Sequence, residues 1–351
     1  LNINNNKVNS LDSILHKTVN GTTIKGVVLR IENGGGELLY QNGMGNFNIN
    51  SRYFIASVTK LYTTAIIYQL IFKGKLNLDD KISKFLPSEI MQGLHIYKNY
   101  DYSSFLTIRN LLEHSSGLPD YFEQKNAEGY SVYERITTGN DMVWSFEDCI
   151  DLSKTIKPLF APNTHRKAFY SDTNFQLLGR ICEGIHDRNI KEIFENQIFK
   201  PLGLTNTYAY DDLNDRSPVP LNFKKNEIFI PKAMSSFGPD GGIVSNVEEQ
   251  IRFLRAFNSG ELFPQSYVQE MYDWRKIFYP LEYGVGVMRY KIPWIMSPFK
   301  KLPEWIGHSG LSGAFLWYSP AIDVYFSGTV NQIANPGTSF RMLLKCIYKL
   351  L

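Results

Sequence analysis

Ser57-Val58-Thr59-Lys60 is the first place where residue type and spacing could do chemistry. A separation of three sets both side chains on one face of a helix, with about 5–6 Å between their Cβ atoms. The serine then stands at a helix N-terminus, where free backbone N–H groups favour developing negative charge. The lysine hangs one turn inside a stretch (Val58, Leu61, Ala65, Ile66, Ile67, Leu70, Ile71) that is apolar on nearly every side. An ammonium there is costly unless it has a partner or a task, and burial draws its pKa down toward a useful range. The bland reading is a serine N-cap with a lysine whose head reaches back to water. A second copy of the spacing, Ser297-Pro298-Phe299-Lys300, runs into Lys301-Leu302-Pro303 and no apolar helix, so its lysine reads as solvated. No GxxxxGK[ST], HExxH or GxSxG pattern occurs, and the six histidines never take metal-ligand spacing. No metal and no cofactor is expected.

The elements that must position this pair follow from periodicity. A helix-like opening at 11–19 precedes two strands at 26–31 and 37–40, joined by Asn33-Gly34-Gly35-Gly36, a hairpin signal. Residues 57–72 read as a centrally buried helix, stopped by Lys73-Gly74-Lys75. Residues 77–257 are mostly helical with long polar loops. Strands return at 283–290, 313–318 and 324–330, and a helix at about 339–350 closes the chain. Strands at both ends with helices between predict an α+β fold, an antiparallel sheet built from both termini and flanked by helices, with a large mostly helical insertion. Residues 1–75 and 235–351 form the expected sheet domain, 76–234 the helical one, and the site is placed at their interface.

The 351 residues are 43% hydrophobic and 20% charged, ample for a sizeable core. A net charge of +3 gives no overall pull toward nucleic acid or anionic lipid. No apolar run reaches the roughly 18–20 residues of a membrane span. Cys149, Cys182 and Cys346 lie in apolar text without CxxC spacing and read as buried free thiols. The sequence opens on Leu1, which is read as the loss of something upstream: a signal peptide, a lipoprotein leader or an artificial boundary.

Further segments stand in a telling order. Phe54-Ile55-Ala56 precede Ser57. Ile108-Arg109-Asn110-Leu111-Leu112 and His114-Ser115-Ser116-Gly117-Leu118-Pro119 come next, then Tyr170-Ser171-Asp172-Thr173-Asn174-Phe175 running into Leu177-Leu178-Gly179. Ile198-Phe199-Lys200-Pro201-Leu202-Gly203-Leu204, Gly241-Gly242-Ile243-Val244-Ser245 and Gly307-His308-Ser309-Gly310 complete the set. From about residue 10 to 330 the chain resembles the serine β-lactamase and penicillin-binding-protein superfamily, in its branch of class C β-lactamases, DD-peptidases, D-aminopeptidases and esterases. Each segment alone is weak, and the ordered set is specific.

The resemblance implies acyl transfer. Ser57 would attack a carbonyl, Lys60 and Tyr170 would move its proton, and the backbone N–H groups of Ser57 and Leu311 would form the oxyanion hole. Asp172, His308, Ser309 and Gly310 would line the substrate side, with Gly310 letting its strand approach the substrate closely. Literal Tyr-x-Asn copies at Tyr40 and Tyr97 lack the family surroundings; Tyr170 takes the role and Tyr97 is the fallback. His114 shapes its loop with Ser116 and Gly117 and receives no chemical role. Two departures carry information. Asp172 stands where the family has asparagine, so it can accept but not donate, and its charge favours an ammonium at Lys60. The base role then falls to Tyr170 through a lowered phenol pKa. His308 replaces a permanent cation with a group that titrates near 6.5 and would hold a substrate carboxylate less firmly.

These features imply a serine hydrolase acting on a D-amino-acid-containing peptide or a small ester. A class C-type β-lactamase and a slowly deacylating penicillin-recognising receptor are the alternatives, with a catalytically dead homologue behind them. A small-molecule or peptide substrate is the expected partner, and nothing specifies an oligomer. The substrate class places the protein outside the cytoplasm: periplasmic, secreted or anchored through a removed leader.

Overall fold

A computed structural model describes residues 3–296, 300 and 302–351. Polar residues open the chain, yet a helix starts among them. The Asn4 side chain accepts from the Lys7 N–H at 3.0 Å and caps α1 (Asn5–Thr18), which therefore begins well before the expected residue 11. β1 (Gly26–Asn33) and β2 (Leu38–Gly45) follow the glycine turn. β2 runs past its expected end through Gln41-Asn42-Gly43, because an edge strand held by pairing alone, with Gly26 opposite Gly45, needs no apolar alternation.

β3 (Tyr53–Phe54) leads through a single 3₁₀ turn, Ala56–Val58, into α2 (Thr59–Phe72), whose residues are buried from Thr59 to Leu70. The middle of the chain supplies α3 (Ile108–Leu112), α4 (Asp172–His186), β4 (Tyr208–Ala209), β5 (Ile243–Ser245) and α5 (Val247–Ser259). Then come β6 (Arg275–Lys276), β7 (Leu281–Tyr283), β8 (Met288–Tyr290), β9 (Trp305–Ser309), β10 (Ala314–Ser319), β11 (Val324–Thr329) and α6 (Gly337–Leu350). The expected strand at 283–290 is thus two strands. Gly284 donates to Val287 O at 2.8 Å, and Gly286 takes φ +81°, so the backbone reverses where the side-chain alternation suggested continuation. Ser297 to Phe299 of the second serine–lysine copy lie outside the described residues; Lys300 rests over the Tyr348 ring at 5.4 Å.

The large sheet is antiparallel throughout, in the order β6-β7-β8-β9-β10-β11-β1-β2, so strands from both ends of the sequence meet at β11 and β1. Alternation in β1 divides the core. Val27, Leu29 and Ile31 face α1 and α6, whereas Val28 faces α2, α4 and α5. A small sheet, β3-β5-β4, joins the residues before Ser57 to the middle of the chain.

Just past β9, Gly310 lies against the backbone leading to Ser57. A Cβ there would sit 2.4 Å from Ile55 O and 3.0 Å from the Ala56 Cβ. Gly310→Ala should therefore cost about 1–3 kcal/mol in a denaturant melt. A melting curve identical to wild type would show that this contact relaxes freely.

Candidate active site

Ser57 is presented by a bend that the fold enforces. Ala56 takes φ +48°, a left-handed conformation that costs a residue with a Cβ roughly 1–3 kcal/mol. Neighbours hold it there. Ile55 N–H donates to Ile243 O at 3.0 Å, Val58 N–H to Ile55 O at 3.2 Å, and the Ser312 hydroxyl to Phe54 O at 2.8 Å. One turn on, Lys60 is fully enclosed, and its Nζ donates to Ser57 Oγ at 3.2 Å and to Asp240 O at 2.8 Å. Its charge is matched by Asp172, in the first turn of α4, whose Oδ1 lies 2.6 Å from Nζ. Burial pulls the Lys60 pKa down, but the Asp172 and Asp240 carboxyls outweigh it and leave the ammonium above the ordinary lysine range.

Tyr170 immediately precedes α4, and Lys60 Nζ stands 5.1 Å from its ring centroid. The phenol oxygen is buried and makes no well-directed hydrogen bond among the described residues, although the Ser57 hydroxyl is near enough to favour the phenolate. Burial and the Asp172 charge prevail and push the phenol well above its usual range. The expectation of a lowered phenol pKa is therefore corrected: Asp172, which keeps Lys60 charged, also opposes a negative charge on Tyr170. His114 supports the tyrosine from below. Its ring packs on the Tyr170 ring at 4.4 Å, its Nδ1 accepts from Ser171 N–H at 3.1 Å, and its O accepts from Phe169 N–H at 2.8 Å. Enclosure drives the His114 pKa well down, so the ring is neutral. Tyr40 and Tyr97 lie elsewhere: Tyr40 donates to Asp12 on the α1 face of the sheet, and Tyr97 sits in a two-residue strand pair.

Ser57, Tyr170, Asp172 and Leu311 line one cleft, so these expected site residues come together. Leu311 stands in the turn closed by Gly310 N–H to Ala314 O at 2.7 Å. The structure does not bring His308 and Ser309 to that cleft. His308 is fully buried, with Nε2 3.1 Å from the Tyr283 hydroxyl and Nδ1 2.7 Å from Ser309 O. Burial and the Lys60 ammonium lower its pKa to about 3, so at neutral pH it offers a substrate carboxylate no charge. Ser309 donates to Met288 Sδ at 3.6 Å. Gly310 makes room for the backbone before Ser57.

Sequence reading missed the acids around the ammonium. Asp120, buried, accepts from the Asp172 N–H at 2.7 Å and the Glu123 N–H at 2.7 Å, and burial with the Asp172 charge raises its pKa strongly. Asp240, also buried, accepts from Tyr121 OH at 2.9 Å and Gln176 Nε2 at 3.0 Å; burial and Asp172 push it up to about 8. Glu123 lines the cleft itself, raised by burial and Asp172. The available signals were position alone: Asp120 directly follows His114 to Pro119, and Asp240 directly precedes Gly241-Gly242. The remaining lining is apolar, with Phe54, Phe122, Ile136, Ile230, Met234 and Phe237 prominent, and no Lys, Arg or His lines the cleft among the described residues.

Comparison with known proteins agrees with this architecture. The chain is 29% identical over 214 residues to penicillin-binding protein 4* of Bacillus subtilis (strain 168), covering 59% of this chain and 42% of that protein. It spans less than half the length of the curated relatives it matches first. A D-stereospecific amidohydrolase from Streptomyces sp. superposes with a TM-score of 0.77 at 24% identity, covering 95% of this chain and 97% of that one. A D-amino acid amidase from Ochrobactrum anthropi SV3 does so with a TM-score of 0.79 at 19% identity, covering 98% of each. The Beta-lactamase family model matches residues 11–340, the stretch that holds the sheet, the enclosed lysine and the whole of the cleft, and the chain belongs to that family.

Proposed function

We propose that the chain is a serine hydrolase working through an acyl-enzyme. The observation that carries the reading is the enclosed Lys60 ammonium 3.2 Å from Ser57 Oγ, with the Tyr170 phenol packed beside both. Ser57 Oγ attacks a carbonyl carbon; its proton goes to Tyr170 or Lys60 as that group passes one of its own along the coupled Tyr170–Lys60–Asp172 chain, and the Asp172 carboxylate, 2.6 Å from Lys60 Nζ, is the final acceptor. The same chain returns the proton to the departing alcohol or amine as the acyl bond breaks. The N–H groups of Ser57 and Leu311 hold the oxyanion, a contribution of order 10²–10³ in rate per donor. Water then repeats the sequence on the acyl-enzyme.

Charge and shape narrow the substrate. Carboxyl groups surround one ammonium that is already matched, and the cleft presents no free cation among the described residues. A substrate carrying a carboxylate beside the scissile bond, as β-lactams and D-Ala-D-Ala termini do, meets like charge. A substrate with a free α-ammonium meets Glu123, and an apolar side chain meets Phe122, Met234 and Phe237. The reading is an amide or ester of a hydrophobic amino acid, or a small neutral ester. Resemblance to proteins described as D-stereospecific amidohydrolase and D-amino acid amidase supports the D configuration.

Ser57→Ala should lower turnover of p-nitrophenyl esters by at least about a thousand-fold and abolish fluorophosphonate labelling. Retained labelling would move the nucleophile elsewhere, and a stoichiometric, long-lived penicillin adduct without turnover would make the protein a receptor. Across a panel, D-phenylalanine amide and ester should be hydrolysed about ten-fold faster than their N-acetyl forms, with a chromogenic cephalosporin and D-Ala-D-Ala peptides slowest. Glu123→Gln should close that gap, and preference for the acylated forms would reject the charge argument. Asp172→Asn removes the main influence holding Lys60 charged and leaves burial dominant. The alkaline limb of kcat/KM against pH should then move down by roughly one to three units; an unmoved limb would dissociate it from Lys60.

A further inference from the structure

We propose that the face built by α1 and α6 docks on an anionic lipid bilayer. The net charge of +3 conceals a strong asymmetry. α6 contains no acidic residue, and Arg341, Lys345 and Lys349 recur at intervals of four, all exposed on one side. Lys17 from the last turn of α1 stands exposed beside them, across a groove floored by Ile14, Leu344 and Leu302. None of these four cations is ion-paired among the described residues; Arg341 reaches only Asn335 Oδ1 at 3.3 Å and Thr338 Oγ1 at 2.8 Å. The acids described above gather in the cleft on the other face of the sheet.

Exposed apolar side chains stand close in sequence to residues of this face. Trp294 and Ile295 are each 76% exposed on a single 3₁₀ turn. Ile292, two residues before Trp294, packs on the α1/α6 core, and Leu302 belongs to that core and lines the groove. Tyr348, 43% exposed, adds an amphipathic ring to the basic stripe. Exposed tryptophan and isoleucine together with lysines that no carboxylate pairs among the described residues suit a membrane interface, where indole and aliphatic groups enter the headgroup region and lysines meet anionic headgroups. A nucleic acid would use the cations but offers nothing for an aliphatic side chain. No described helix is long and apolar enough to cross a membrane, so the contact is with the surface.

The test is co-sedimentation of the whole chain with vesicles of phosphatidylcholine alone and of phosphatidylcholine with phosphatidylglycerol in equal parts. Binding is expected only with phosphatidylglycerol and should weaken as salt is raised. Neutralising Lys345 and Lys349 to Gln should weaken it about five-fold per lysine. Trp294→Ala should weaken it without changing the salt dependence, and each variant should keep wild-type ester turnover as proof of folding. No binding to phosphatidylglycerol vesicles, equal binding to both compositions, or unaltered binding by the Lys345/Lys349 variant would overturn the proposal. So would duplex DNA bound as tightly as the vesicles in the same buffer, with Trp294→Ala having no effect on either.

Discussion

Lys60 can remain an ammonium inside the protein because Asp172 lies 2.6 Å from it, and the states of the groups around it follow from that pair. Burying an unmatched charge costs several kcal/mol, so the pair stands or falls together. With Asp172 negative, Asp120 and Asp240 cannot also ionise cheaply, and both are pushed up. Burial, reinforced by the Lys60 charge, holds His308 and His114 neutral. Tyr170 keeps its proton in the resting state because its phenol is buried and faces the Asp172 charge. The pair also ties the head of α2 to the first turn of α4, so the ionic balance and the placement of the nucleophile rest on the same contact.

Geometry is enforced by a second set of contacts that carry no charge. The left-handed Ala56 turns Ser57 into the cleft, and it persists because β3 is paired to β5 while Gly310 is pressed against Ile55. Around Tyr170, a neutral His114 supplies a ring to stack on and an acceptor for the next backbone N–H. These supports belong to three distant stretches of sequence, and their common product is the position of two oxygen atoms relative to one nitrogen.

Much of this was legible beforehand where the signal is local. α2 is apolar on all sides, so its burial and the embedded lysine could be read directly, and Asp172 stood out because the family resemblance leads one to expect an asparagine there. The α+β plan followed from strands at both ends. What depends on convergence was hidden. Asp120, Glu123 and Asp240 are ordinary acids in loops until those loops meet around Lys60. His308 looked like a ligand to substrate because spacing does not reveal that Tyr283 and the Ser309 carbonyl already occupy both its nitrogens. The break between β7 and β8 escaped notice because Tyr283-Gly284-Val285-Gly286-Val287-Met288 keeps a period of two straight through a reversal of direction. The strand β9 was missed by periodicity because it is only five residues long, one of them glycine.

The junction of β1 with β11 has a consequence for how the molecule comes into being. Val28 pairs with Thr329 and Asn33 with Val324, contacts separated by about three hundred positions. During synthesis the β1–β2 hairpin is finished before its partner strand, so one of its edges must stay open until the roughly three hundred intervening residues have been made. High contact order of this kind slows folding and prolongs exposure of an unsatisfied strand. Residues 26–45 therefore wait for residues 324–329, and a nascent-chain chaperone would find its target in that interval.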